Sequence, residues 1–185
     1  KYYIYENGVV YTHIGELEEA SGKWVPEGTF PKHLGDEVGV FYEDGEFHLF
    51  GEYGDFPNRP DGTSLSHLVS KTGLGNWSLV DSLAVAPNKP GEQKYGVGDP
   101  TIVKEGEYYY LYCDIESADE PYKIMAWRTS DSNQPFEKLG IAVEARSDHE
   151  GHNDNYRVQD ADVAFIPAIN KYAMFCNMRD DDGNP

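Results

Sequence analysis

An acidic residue followed by a short apolar strand, a turn and an aromatic strand occurs three times along this chain. A repeated unit narrows the folds open to a sequence more than composition does. The clearest copy runs Gly98-Asp99-Pro100-Thr101-Ile102-Val103, turns at Glu105-Gly106 and continues from Tyr108 to Cys113. Its β-branched and aromatic residues suit a pleated, half-buried surface. Proline cannot donate to a sheet ladder and belongs at a strand's first position, so Asp99 is expected at the strand's mouth. The second copy has Asp36, the apolar run Val38 to Tyr42, an Asp44-Gly45 turn and the aromatic run Glu46 to Phe50. The third has Asp160, the run Ala161 to Phe165, a longer turn from Ile166 to Asn170, and Lys171 to Cys176.

The three acids are spaced by roughly sixty residues, in the range where fixed-period similarity marks a solenoid, propeller or array. Between the copies a second pattern recurs, Leu68 to Thr72 with Trp77 to Val80 and Ile124 to Ser130 with Phe136 to Gly140. Each complete unit therefore reads as four strands, which is a propeller blade. The expected fold is all-β, a single partial β-propeller domain with about three blades' worth of strands. Residues 1–34 read as the second half of a blade, 35–96 and 97–157 as whole blades, and 158–185 as the first half of another. Within the first segment, Glu6-Asn7-Gly8 marks a hairpin turn and Gly22 to Gly28 a short edge strand. A closed ring usually has about 4–8 blades. Residues 1–34 are accordingly expected to complete the blade begun at Asp160, in the same molecule or in a homo-oligomer, because half blades leave strand edges open.

Charge limits the partners. A net charge of -18 leaves no basic patch for phosphates, which excludes a nucleic-acid partner. No apolar run reaches the roughly 18 residues of a membrane span, and no basic-plus-apolar leader opens the chain, so no membrane partner is expected. Secreted, periplasmic and cytoplasmic locations all remain open. Glycine-rich phosphate loops and paired Cys or His at zinc spacing are absent from the sequence. Fourteen tyrosines and three tryptophans supply aromatic faces that suit both sheet packing and the apolar faces of sugar rings. Cys113 and Cys176 occupy the same place in successive units. Equivalent atoms in neighbouring repeats lie beyond the ~7 Å Cα separation a disulfide tolerates, so two free, buried thiols are expected.

In a propeller the innermost strands line a central channel, so Asp36, Asp99 and Asp160 are expected to converge. Carboxylates brought together repel, and one can hold a proton while another stays ionised. Acid and base roles then coexist, as glycoside cleavage requires. The run Gly35 to Phe50 resembles the first-blade motif of the five-bladed propeller glycosidases of families 32, 43 and 117. Gly98-Asp99-Pro100 with Tyr108 to Tyr112 is similar to their Asp-Pro motif. The resemblance covers most of the chain as a repeat pattern. It implies Asp36 as general base or nucleophile and Asp99 as the carboxylate that tunes its neighbours or stabilises the transition state. Families 43 and 32 place a glutamic acid at the acid position, where this chain has Asp160 followed by Asp162. Family 117 uses a histidine, which makes His149 and His152 in the preceding loop the alternative acids. Glu37 stands where the related motif has proline.

The resemblance also implies a carbohydrate substrate, a plant or algal oligosaccharide. Trp127 and Tyr53 are candidate stacking platforms for it. Arg128, Arg157 and Arg179 are candidates for holding carboxylates or an acidic sugar. No cofactor or metal ligand set is defined, although the channel oxygens are compatible with Ca²⁺. The same fold also serves non-catalytic modules, so the competing expectation is a propeller that binds carbohydrate or mediates assembly.

Overall fold

The computed structural model describes residues 3–6, 8–14, 23–34, 37–53, 64–86, 95–117, 122–144 and 157–179. The described residues form antiparallel sheets joined by turns, with two short 3-10 turns and no α-helix among them. One four-stranded sheet holds β4 (Val38–Glu43), β5 (Glu46–Tyr53), β6 (Ser64–Ser70) and β7 (Ser78–Val85), in that order. A second holds β8 (Tyr95–Glu105), β9 (Tyr108–Ser117), β10 (Lys123–Thr129) and β11 (Glu137–Val143) in the same order. β12 (Arg157–Ile166) and β13 (Lys171–Arg179) form a hairpin that repeats the first half of this plan. The fold is thus all-β and built of propeller blades, as the repeated unit implies. β8 and β12 begin slightly ahead of the blade boundaries expected at 97 and 158.

The first segment departs from expectation. β1 (Tyr3–Glu6), β2 (Val9–Ile14) and β3 (Lys23–Thr29) make a three-stranded sheet of their own and do not extend β12–β13. Ile4 and Tyr5 line the same cleft as β4, β8 and β12, so β1 takes the place of an innermost strand, not of a blade's outer half. Apolar burial explains the placement. Val10, Phe30 and Leu34 pack against Leu49 and Leu68 of the first four-stranded blade. The Thr29 N–H donates to the Leu74 carbonyl at 3.0 Å, and the Trp77 indole N–H donates to the Thr29 carbonyl at 3.0 Å.

The main core is the seam between the two four-stranded blades. Phe50, Leu65 and Val85 from one meet Val97, Leu111, Cys113, Trp127 and Phe136 from the other, and the Phe136 N–H crosses the seam to the Ala84 carbonyl at 3.0 Å. Trp127 is only 1% exposed. It sits on β10, flanked by β9 and β11 and covered by this seam, so its ring faces are spent on packing and it is no stacking platform for a sugar. Near the channel the strands come closer still. A Cβ on Gly39 would lie 2.9 Å from the Pro100 carbonyl oxygen, so only glycine lets β4 approach β8 this closely.

Both cysteines are free, but only Cys113 is buried; Cys176 is exposed. β9 has β10 on its outer side, whereas β13 pairs only with β12 among the described residues, and solvent reaches Cys176 from that open edge.

Candidate functional site

The two aspartates that can be located sit on the same local device. The β8 ladder runs Gly98 opposite Asp114 and then Thr101 opposite Tyr112, leaving Asp99 and Pro100 to face Cys113 alone. The β12 ladder runs Gln159 opposite Asn177 and then Asp162 opposite Phe175, leaving Asp160 and Ala161 to face Cys176. Each is a two-against-one bulge, which kinks a strand and re-aims a side chain. Asp99 and Asp160 both take left-handed backbone, with φ of 48° and 55°, a conformation aspartate tolerates better than most residues. Counted from the turns, where Glu43 faces Glu46 and Glu105 faces Tyr108, Gly39 faces Phe50 in the first blade as Thr101 faces Tyr112 in the second. Glu37 therefore takes the register position of Asp99 and Asp160, and Val38 that of Pro100 and Ala161. Asp36 itself lies outside the described residues.

Glu37 brings a carboxylate to the cluster that the three-aspartate expectation missed. Carboxylate oxygens of Glu37, Asp99 and Asp160 lie within 4.8 Å of one another. Glu37 and Asp99 open onto a cleft of about 660 Å³ walled by the innermost strands β4, β8 and β12 and by Ile4 and Tyr5 of β1. Every charged residue lining it among those described, Glu37, Asp99 and Asp162, is acidic. An all-oxygen donor set of this kind suits a hard cation such as Ca²⁺, though three carboxylates fall short of the ~6–8 oxygens Ca²⁺ takes unless they bind in pairs or with water.

Hydrogen bonds from two blades hold Asp160. Its carboxylate accepts from the Asn177 amide at 2.7 Å and from the Gln159 amide at 3.2 Å on each oxygen. Its backbone N–H donates to Asp114 Oδ2 at 3.2 Å. Asp114 is 1% exposed, and a carboxylate so buried is tolerable only when donors serve it. Asp114 and Asn177 occupy equivalent positions on β9 and β13, opposite Gly98 and Gln159. The Thr101 hydroxyl ties the same two blades, donating to Asp162 at 3.4 Å and accepting the Val163 N–H at 3.3 Å. Burial first, and then the charges of Asp114 and Asp99, push the Cys113 thiol well above its usual range. A thiol held neutral in this way is inert as a nucleophile.

The other sequence candidates are dispersed. His149 and His152 lie outside the described residues, as do the side chains of Tyr53 and Arg179. Arg128 bonds Glu137 at 3.3 Å and covers the Tyr108 ring at 4.7 Å. It faces Tyr110, which faces Val103, so it sits toward the hairpin end of the blade, two strands out from the channel. Arg157 shares β12 with Asp160, with its guanidinium 4.7 Å from the centre of the Tyr122 ring. Glu37, Asp114 and Asn177 were not singled out from the sequence. Glu37 carried a signal, an acid where the related motif has proline. Asp114 and Asn177 carried only their shared place after the in-register cysteines.

No family model and no curated protein matches the sequence. Solved structures do match. A family 32 β-fructofuranosidase of Bombyx mori superposes with a TM-score of 0.62 at 13% identity, over 95% of this chain and 40% of its own. An exo-β-1,3-galactanase of Clostridium thermocellum gives 0.61 at 13% identity, over 76% of this chain and 31% of its own. A family 43 β-xylosidase/α-arabinofuranosidase from a compost metagenome, in complex with xylotriose, gives 0.53 at 13% identity, over 75% of this chain and 41% of its own. The likeness is one of fold. The chain has the architecture of part of a five-bladed propeller glycosidase and spans less than half the length of these three structures.

Proposed function

We propose that this chain supplies channel carboxylates to a glycoside hydrolase-like propeller that cleaves O-glycosidic bonds in plant or algal oligosaccharides. The observation that carries the reading is the convergence of Glu37, Asp99 and Asp160 at the innermost strand ends, the two aspartates on bulges repeated in adjacent blades. Structures of similar fold are named as enzymes acting on fructosides, galactans and xylosides. In this reading Asp36 is the base or nucleophile and Asp99 stabilises the transition state. Carboxyl groups flanking a scissile bond stand about 5–5.5 Å apart in retaining enzymes and about 6.5–9.5 Å apart in inverting ones. One oxygen of each described carboxylate lies within 4.8 Å of the others, which fits a coupled set, with Asp160 as the proton donor and His149 or His152 as the alternative acids.

A binding module that does no chemistry is the second reading, favoured by the amide hydrogens already on both Asp160 oxygens. That arrangement presents acceptors to sugar hydroxyls. The two readings separate on a panel of aryl arabinosides, xylosides, galactosides and fructosides with agar-derived oligosaccharides. Hydrolysis lost in Asp160→Asn but kept in His149→Ala and His152→Ala makes the aspartate the proton donor; the reverse makes it a loop histidine. No turnover by wild type, with sugar binding that survives Asp36→Asn and Asp99→Asn, rejects the hydrolase and leaves the module.

A further inference from the structure

Two histidines are set into the apolar and aromatic core of the seam between the β4–β7 and β8–β11 blades. His48 on β5 and His67 on β6 lie on neighbouring strands, and His48 Nδ1 stands 3.0 Å from His67 Nε2. Both are buried, His67 completely. Phe41 stacks on His48 at 4.6 Å and Phe50 on His67 at 4.5 Å, with near-parallel rings. Phe41 in turn meets Tyr109 of the next blade, and Phe50 meets Phe136. The pair is therefore part of the aromatic packing that joins the blades. A single hydrogen bond between two imidazoles needs one to donate and the other to accept, and an imidazolium has only donors. His67 Nδ1 has no hydrogen-bond partner, so the closed seam offers no acceptor for a proton placed there.

We propose that the His48–His67 pair is an acid-operated joint, and that proton uptake by the pair opens the seam between the two four-stranded blades. The proposal does not depend on the reading of the cleft, although opening would part Glu37 on the β4 side from Asp99 on β8. Glu43, Asp44 and Glu46 at the hairpin end of the same blade favour charge on His48, and Asp131 of the neighbouring blade favours it on His67. Glu43 is itself engaged by Lys104 and by the Tyr109 hydroxyl. Asp81 stands opposite His67 on β7, and its carboxylate accepts the Leu83 N–H at 2.8 Å. Burial outweighs these carboxylates in both rings, lowering His48 and bringing His67 down to about 4. In an opened seam both return toward about 6.5. The closed state thus binds fewer protons than the open one. Its advantage is complete above about pH 6.5 and is lost as the pH falls toward 4.

Amide hydrogen exchange reads the joint directly. The Phe136 N–H bonds to Ala84 across this seam, and the Val158 N–H bonds to Tyr122 at 3.2 Å across the next one, where no histidine is found among the described residues. After correction for intrinsic rates, His67 alone makes opening about twentyfold easier at pH 5 than at pH 7. The expected result is a fall of that order in Phe136 protection, with Val158 changing much less, and loss of the contrast in His67→Phe. If the apolar variant does not fold, His67→Gln, which keeps a partner for His48 and cannot titrate, takes its place. Equal pH dependence at the two amides in wild type, or a contrast that survives in the folded variant, overturns the proposal.

Discussion

Left-handed backbone at Asp99 should be measurable as a reversal of the usual order of alanine and glycine. A residue with a Cβ pays about 1–2 kcal/mol for this conformation, and glycine pays nothing. Asp99→Ala and Asp99→Gly lose the same carboxylate and its contacts, so those effects cancel between them. What remains is the conformational cost at a φ of 48°, less the ~0.4–1 kcal/mol that glycine returns through its more flexible unfolded chain. The glycine variant is expected to be the more stable by about 0.5–1 kcal/mol, equivalent to about 1–4 °C in Tm for a domain of this length. Ala164, exposed on β12, is the control. At that ordinary strand position Ala164→Gly should cost about 0.5–1 kcal/mol. Urea unfolding followed by tryptophan fluorescence reports all three, since Trp127 is buried in the seam core. An alanine variant at 99 as stable as the glycine variant would refute the bulge, and with it the geometry that aims Asp99 into the cleft.

Three further outcomes follow from packing. A thiol reagent should label Cys176 quickly in the native state and Cys113 only after denaturant, because one is exposed and the other buried; equal rates would contradict the open β13 edge. Gly39→Val should cost about 1–3 kcal/mol, as overpacking typically does, because even a Cβ there lies 2.9 Å from the Pro100 carbonyl; an unchanged urea midpoint would contradict it. Trp127→Ala should cost about 3–5 kcal/mol without a specific loss of sugar affinity in the protein that remains folded, and a selective loss of binding would return Trp127 to the site.

The repeated unit was legible because each of its signals is local. Asp-Pro, Asp-Gly and aromatic runs state where strands begin, turn and pair, and the observed ladders follow them through β4–β5, β8–β9 and β12–β13. Features that depend on which surfaces meet were not legible. Trp127 reads as a candidate platform, with core or interface packing the commoner fate of such a residue, until β10 is seen between two strands. Cys176 shares the sequence position of Cys113 but not its covering strand. The role of β1 was misassigned because Tyr3 to Glu6 carries no Asp-Pro marker, while its place beside the cleft is set by the burial of Val10, Phe30 and Leu34 against the next blade. The site was half legible. The repeat pattern alone makes Asp99 and Asp160 equivalent, but it aligns Asp36 with them, whereas the observed ladder, which runs through Val38 without a bulge, puts Glu37 at that position. The His48–His67 contact likewise needs two strands brought into register, and neither histidine has a sequence motif.

The central claim is that the converged carboxylates perform chemistry, and Asp99→Asn tests it with the least disturbance, since the change keeps the shape of the side chain and removes its charge. The measurement is the hydrolysis rate on the best aryl glycoside of the panel, taken beside sugar affinity by calorimetry on the same preparation. The account predicts a fall in kcat of about 100-fold or more with affinity and circular dichroism nearly unchanged. Hydrolysis at the wild-type rate in Asp99→Asn would contradict it.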